Sequence, residues 1–392
     1  MTDEITNGIE SRPVKDSEPG ASGMDQRADL PFFTVILAQR ESLAGLDQAL
    51  TSIQRQEYPS ERIEVIVVAC AQAGAVEGVL SNYKNSIASL NVINVESNDL
   101  ASGLNKAVAK SGADYIMIME ASLRLMSDHV LTDCTDTFKR TGANCLCRSD
   151  VEIPDGLNMF EQAVEQARLS FMGQSLSAIH APSAEVECDP LSLGMVWRRG
   201  VFKKVGEFDS KMSPYELADF NYRLKITGLK SFLAPGLKTF SQPWSSLGLI
   251  WKSLLKGGRG RFRFFRKNGI SDSRLVIAPA LIVAFIVLLI IGPPLGDPFL
   301  GWLQFIASIY FAAIMIVSAL IAYQKGKVEY FLSLPVIFVV RHVALGFGFV
   351  REWLDTVRVR TPQTAPPSSP ERSGSAAAHP APPAPPNQSS SA

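Results

Sequence analysis

Four short apolar runs, FFTVIL at 32–37, IEVIVV at 63–68, LNVINV at 90–95 and YIMIM at 115–119, alternate with stretches whose apolar residues recur at helical spacing, near 43–53, 76–83 and 100–109. Strands that alternate with helices at this pitch are joined by crossovers, and crossovers pair strands in parallel with helices on both faces. The chain is therefore expected to open with an α/β, mostly parallel sheet. Ligands of such sheets sit beyond the carboxyl ends of the strands. That rule gathers residues 38–42, 69–72 and 120–122 around one crevice. Two further helical patterns, 156–174 and 216–226, belong to a second half that closes it.

A hydrophobic content of 46% is more than a soluble core accounts for, and the excess lies in the last third. Residues 275–291 and 299–323 carry no charge, and each is long enough to cross a hydrocarbon layer needing about 20 helical residues. The turn between them has no Lys or Arg while both flanks are basic. This orientation puts the turn outside and the large domain in the cytoplasm, at the inner membrane. A third apolar segment, 330–350, holds Arg341 and His342 near its middle, residues that normally face protein, a cavity or headgroups. Arg351, Arg358 and Arg360 favour a re-entrant or interfacial segment over a full third crossing.

Charge changes abruptly before the apolar third. No acidic residue lies between Asp219 and Asp272, a stretch that includes Lys252, Lys256, Arg259, Arg261, Arg263, Arg266 and Lys267. Leu247, Ile250, Trp251, Leu254 and Leu255 share one helical face there, the pattern of a helix lying in an anionic membrane interface. Residues 1–29 and 361–392 lack apolar periodicity and are expected to be disordered tails; the first has no secretory-signal pattern. The five cysteines are irregularly spaced and suit a reducing compartment, and His129 and His180 have no partner at catalytic spacing. The resulting division is a tail to 29, a globular domain at 30–245, a basic juxtamembrane segment at 246–273, a membrane region at 274–354 and a tail from 361. Nothing in it calls for nucleic acid.

RQEYPSERIEVIVV at 55–68, Leu104-Asn105 with Gly112-Ala113-Asp114-Tyr115, Ser170-Phe171-Met172-Gly173, DPLSLGMVWRRGVFKKVGEFD at 189–209, FNYRLKITG at 220–228, KGGRGRFRFFRKNG at 256–269 and RHVALGFGF at 341–349 stand in a telling order. Together they resemble the inverting family 2 glycosyltransferases, in the membrane-attached branch that includes succinoglycan-type exopolysaccharide enzymes. The resemblance covers about 31–353. It implies a GT-A-type nucleotide-sugar fold followed by an interface helix and transmembrane helices. It also implies transfer of a sugar from a nucleotide diphosphate donor to a lipid-linked acceptor.

Such chemistry uses an Asp for the nucleotide, an Asp-x-Asp turn for a divalent ion such as Mg2+ or Mn2+, and an Asp base. By position these fall on Ala69 or Cys70, on Glu120-Ala121-Ser122, and on Leu217. Leucine cannot take a proton. Glu216 and Asp219 flank Leu217, share a helical face and are the candidate bases. Arg40, Glu120 and Asp189 match donor-side and acceptor-side positions, with Glu120 the ionisable metal ligand left at its turn. Lys256, Arg259 and Arg261 are candidates for the leaving diphosphate or a lipid headgroup. Two readings stand: a working transferase, or a pseudoenzyme that scaffolds or regulates an active transferase or a polysaccharide assembly complex. Two clear spans and one charged segment are too little membrane structure for a transporter.

Overall fold

The computed structural model describes residues 30–40, 43, 45–70, 73–96, 99–149, 156–173, 184–191, 193–269 and 297–360. The expected tails, the 275–291 span, most of the turn after it, Glu41, Ser42 and His180 lie outside the described residues.

The strand signals are strands: β1 (Phe33–Gln39), β2 (Ile63–Ala69), β3 (Ser89–Asn94) and β4 (Tyr115–Glu120). Between them run α1 (Leu46–Gln54), α2 (Ala73–Ser81) and α3 (Leu100–Lys110). Strand β5 (Leu123–Leu125), helix α4 (Val130–Thr141), strand β6 (Cys145–Ser149) and helix α5 (Met159–Leu169) follow. The second half adds β7 (Gly194–Arg198), α6 (Gly200–Val205), α7 (Glu216–Ile226) and β8 (Ser231–Ser241). The eight strands among the described residues form one sheet in the order β3-β2-β1-β4-β7-β6-β8-β5.

Pairings among β1 to β4 are parallel, as are those of β6 with β8. Strand β7 runs antiparallel to both β4 and β6, and β5 antiparallel to β8. The sheet is thus more mixed than the alternation implies. Period-2 alternation sends Phe33, Val35 and Leu37 into a core with α1, α2 and α4, while Ile36 and Ala38 enter a second core with α3, α6 and α7. These two layers fix the position of every strand end.

Three long helices follow: α8 (Leu247–Asn268), α9 (Asp297–Lys325) and α10 (Glu329–Arg360). Gly301–Lys325 and Glu329–Val357 are long and apolar enough to cross a membrane. Trp302, Phe305, Ile309, Phe311 and Ile316 leave α9 with an exposed apolar face. Helix α8 is less purely interfacial than its pattern suggests. Leu247 and Trp251 are exposed, but Ile250 is fully buried in a cluster with Ala163, Val164 and Ala167 of α5, Ile314 of α9, and Leu334 and Phe338 of α10. Further along, α8 crosses α10 backbone to backbone. A Cβ on Gly258 would lie 2.1 Å from the Leu345 carbonyl oxygen, and one on Gly348 at 2.1 Å from that of Leu255. The chain divides into a compact unit ending at Trp353 and a second from Leu354, of which the residues to Arg360 are described, in helix.

Candidate active site at the strand ends

Parallel register makes the crevice. Ala38 lies opposite Glu120 and Gln39 opposite Ala69, so the ends of β1, β2 and β4 are level. The turn leaving β1 is held against the turn leaving β4: Gly45 has φ +91°, and a Cβ there would come 2.8 Å from the Ser122 Cα. Arg40 follows directly on β1 and stands among these ends, within electrostatic range of Glu120, Cys70 and Glu216.

Helix α7 delivers Glu216 from the other half. Its carboxylate takes both arms of the Arg40 guanidinium, Nη2 to Oε2 at 2.8 Å and Nη1 to Oε1 at 3.3 Å. Nη2 also reaches the Pro214 carbonyl at 3.4 Å. The Glu216 side chain is wholly buried and that of Arg40 is 27% exposed. Burial alone would lower the Arg40 pKa, but the charge and hydrogen bond of Glu216 outweigh it and the net shift is upward. Burial likewise pushes the Cys70 thiol up, away from thiolate character.

Asp219, one turn further on, belongs to a separate network. Its wholly buried carboxylate accepts from Arg223 Nε at 3.0 Å, from Lys267 Nζ at 3.0 Å and from the Asn268 amide at 3.2 Å. Lys267 also bonds Asp209 at 2.7 Å. Leu217 between them packs against the core of Ile36, Val68 and Phe220. Asp189 also has its own partners: it is partly exposed, pairs with Lys225 at 2.5 Å and accepts from the Leu191 N–H.

The basic helix does not form one cationic surface. Arg259 and Arg263 donate from Nε to the two oxygens of Glu352, at 2.6 and 2.5 Å, and Arg263 also reaches the Ser213 carbonyl at 2.8 Å. Arg261 donates to the Tyr215 hydroxyl at 3.0 Å, and Lys256 is half-buried on the same helix. Of the sequence candidates, Arg40, Glu120 and Glu216 meet at the strand ends; Asp219, Asp189 and the α8 cations do not join them. Sequence reasoning passed over Lys267 and Glu352 as partners, and nothing in local spacing pointed to either.

A divalent ion is implied by the resemblance, and its fit rests on the donor set. Glu120 is exposed at the end of β4, Ala121 is a buried methyl, and the other nearby carboxylate, Glu216, is bound to Arg40. Among the described residues no three His, Cys, Asp or Glu side chains come together to hold a metal. Among the described residues, Glu120 by itself does not make a metal site.

A curled, mixed sheet with level strand ends and a helix that closes over them defines the class: this is the GT-A glycosyltransferase fold. Within it residues 34–182 match the family model "Glycosyl transferase family 2". The chain is similar in structure to the mannosyltransferase PcManGT from Pyrobaculum calidifontis, solved in complex with GDP-Man and Mn2+, at a TM-score of 0.52 and 15% identity over 84% of this chain and 89% of that one. S. aureus TarS 1-349 in complex with UDP matches at a TM-score of 0.43 and 14% identity, over 83% of this chain and 92% of its own. No curated protein is significantly similar in sequence.

Proposed function

We propose that this chain is a membrane-attached, family 2 glycosyltransferase-like protein of polysaccharide or glycolipid assembly whose crevice is charge-closed. It works as a docked scaffold or regulatory partner of an active transferase. The observation that carries this reading is the Arg40–Glu216 pair: the candidate base nearest the strand ends is wholly buried and bound through both oxygens. A general base must reach the proton it removes. Asp219, the other candidate, is occupied by three donors. Ala69 and Cys70 offer no carboxylate for the nucleotide.

Attachment to the inner membrane rests on α9 and α10, with the globular domain on the cytoplasmic side. Arg341 and His342, at mid-α10, bond backbone carbonyls of the turn after α5, which favours an interfacial or re-entrant course for that helix.

One observation favours the transferase reading. Arg40 is partly exposed at the crevice, and an incoming diphosphate that captured it would release Glu216 as the base. The mannosyltransferase of the same fold, solved with GDP-Man, fits a nucleotide-sugar donor under that reading, with a lipid-linked acceptor. Calorimetry with UDP- and GDP-sugars, with and without Mn2+, separates the two, together with a donor hydrolysis assay. Absence of binding at millimolar ligand is expected for the scaffold. Metal-dependent binding, with hydrolysis lost in Glu216→Gln, would overturn it in favour of transfer.

A further inference from the structure

Arg341 sits in the middle of α10, 8% exposed. Its Nη2 donates to the Gly173 carbonyl at 2.9 Å, while Nη1 is buried without a hydrogen-bond partner. A guanidinium cannot shed its proton to escape burial, so the charge needs a counterpart. Two more guanidiniums, Arg168 and Arg261, lie within electrostatic range, and a single carboxylate, Glu165, accompanies them. Glu165 is bound to Arg168 at 2.8 Å, and Arg261 has the neutral Tyr215 hydroxyl as acceptor. His342 beside Arg341 is occupied by the Met172 carbonyl and the Tyr310 hydroxyl.

Among the described residues, then, Arg341 holds a buried guanidinium nitrogen without an acceptor, with the Arg168 and Arg261 charges of α5 and α8 within electrostatic range. The missing partner is an anion. Guanidinium forks pair bidentately with phosphate oxygens, and a phosphate carries more charge and more acceptor oxygens than a single carboxylate. The site is also beside the membrane helices: Tyr310 belongs to α9, whose outer face is apolar and exposed.

We propose that Arg341, with Arg261 and Arg168, binds a phosphate group, carried on a lipid or free in solution. This rests on the membrane-attached part of the functional reading and not on whether sugar is transferred. The test is thermal unfolding of the full chain in detergent micelles, with four additions: inorganic phosphate, pyrophosphate, phosphatidic acid, and phosphatidylcholine as the neutral lipid.

Phosphatidic acid is expected to raise the melting temperature, and Arg341→Gln to weaken its apparent affinity at least tenfold. Without added anion that variant should be no less stable than the parent, since it removes a buried charge lacking its partner. Lys252→Gln, on the exposed face of α8, should keep the full response. If pyrophosphate or phosphate gives the same Arg341-dependent rise and phosphatidic acid none, the site holds and its source is soluble. Should Arg341→Gln fail to fold, Arg261→Gln serves as the second variant, with the same loss expected. No rise with any phosphate, or a rise unchanged in both variants, overturns the proposal. Micelle or vesicle association with phosphatidylcholine alone reports on membrane attachment separately, so its failure is distinguishable.

Discussion

Removing Arg40 should cost far more than neutralising its partner. In Arg40→Ala the Glu216 carboxylate, with no side-chain exposure, keeps its buried position and loses both charged donors. Breaking a buried pair from one side costs about 3–5 kcal/mol, since a charge remains without compensation. In Glu216→Gln the survivor is a guanidinium with 27% exposure, the Pro214 carbonyl within reach and an amide oxygen still in place. That substitution should cost about 1–2 kcal/mol, the scale of a weakened charged hydrogen bond. The two variants and their combination form a double-mutant cycle, read by urea or thermal unfolding of the full chain in detergent. For a domain of this size the larger loss corresponds to a fall in melting temperature of roughly 10 °C. The combined variant should recover much of it, giving a coupling of about 2 kcal/mol or more. Equal costs for the two single variants, or strict additivity in the double, would refute a buried mutual neutralisation at the crevice. The closed-crevice reading would fall with it.

Asp219→Asn removes the charge that Arg223 and Lys267 share and should cost about 2 kcal/mol, discounted because both cations are partly exposed; an unchanged denaturation midpoint would contradict the network. Gly348→Val drives a side chain into the Leu255 carbonyl, and the α8–α10 crossing should open, with faster proteolysis within α8 as the measurement and unchanged digestion as the contrary result. Acid should weaken the fold. The Lys267 hydrogen bond holds Asp209 below the usual carboxylate range and the Arg140 hydrogen bond does the same for Glu185. A lowered folded pKa means stabilisation present above about pH 4 and lost as pH falls through the folded values. Melting temperatures between pH 5 and 3 should drop, less steeply in Asp209→Asn, and parallel curves would count against the linkage.

Strands β1 to β4 and the level of the crevice were legible because they depend on local periodicity, whereas β5, β6 and β8 were not expected from it. Helix α7, Glu216–Ile226, has the bounds its pattern predicts, and β2 differs from its apolar run by one residue at Ala69. What sequence could not supply was partner choice. Arg259 meets Glu352 across 93 positions and Asp219 meets Lys267 across 48, distances at which spacing carries no information. The Asp219–Arg223 pair, one turn apart, was visible for that very reason. Arg341 stood out as costly in an apolar run, yet its acceptor is a backbone carbonyl of Gly173, which no residue type announces.

Partner choice also decides which cations can serve an anionic ligand. A diphosphate drawn to Arg259 or Arg263 would have to displace Glu352, whose side chain is only 10% exposed. That carboxylate would then be stranded at about 3–5 kcal/mol, to be offset before any binding is gained. Lys267 carries a similar obligation to Asp219 and Asp209. Among the described residues Arg261 has a phenolic hydroxyl to give up, and Arg341 has a nitrogen with no partner to give up. Anion binding is therefore cheapest at Arg341 and Arg261 and dearest along the rest of the run of arginines that reads most basic in the sequence. That run instead fastens α8 to the globular domain on one side and to α10 on the other.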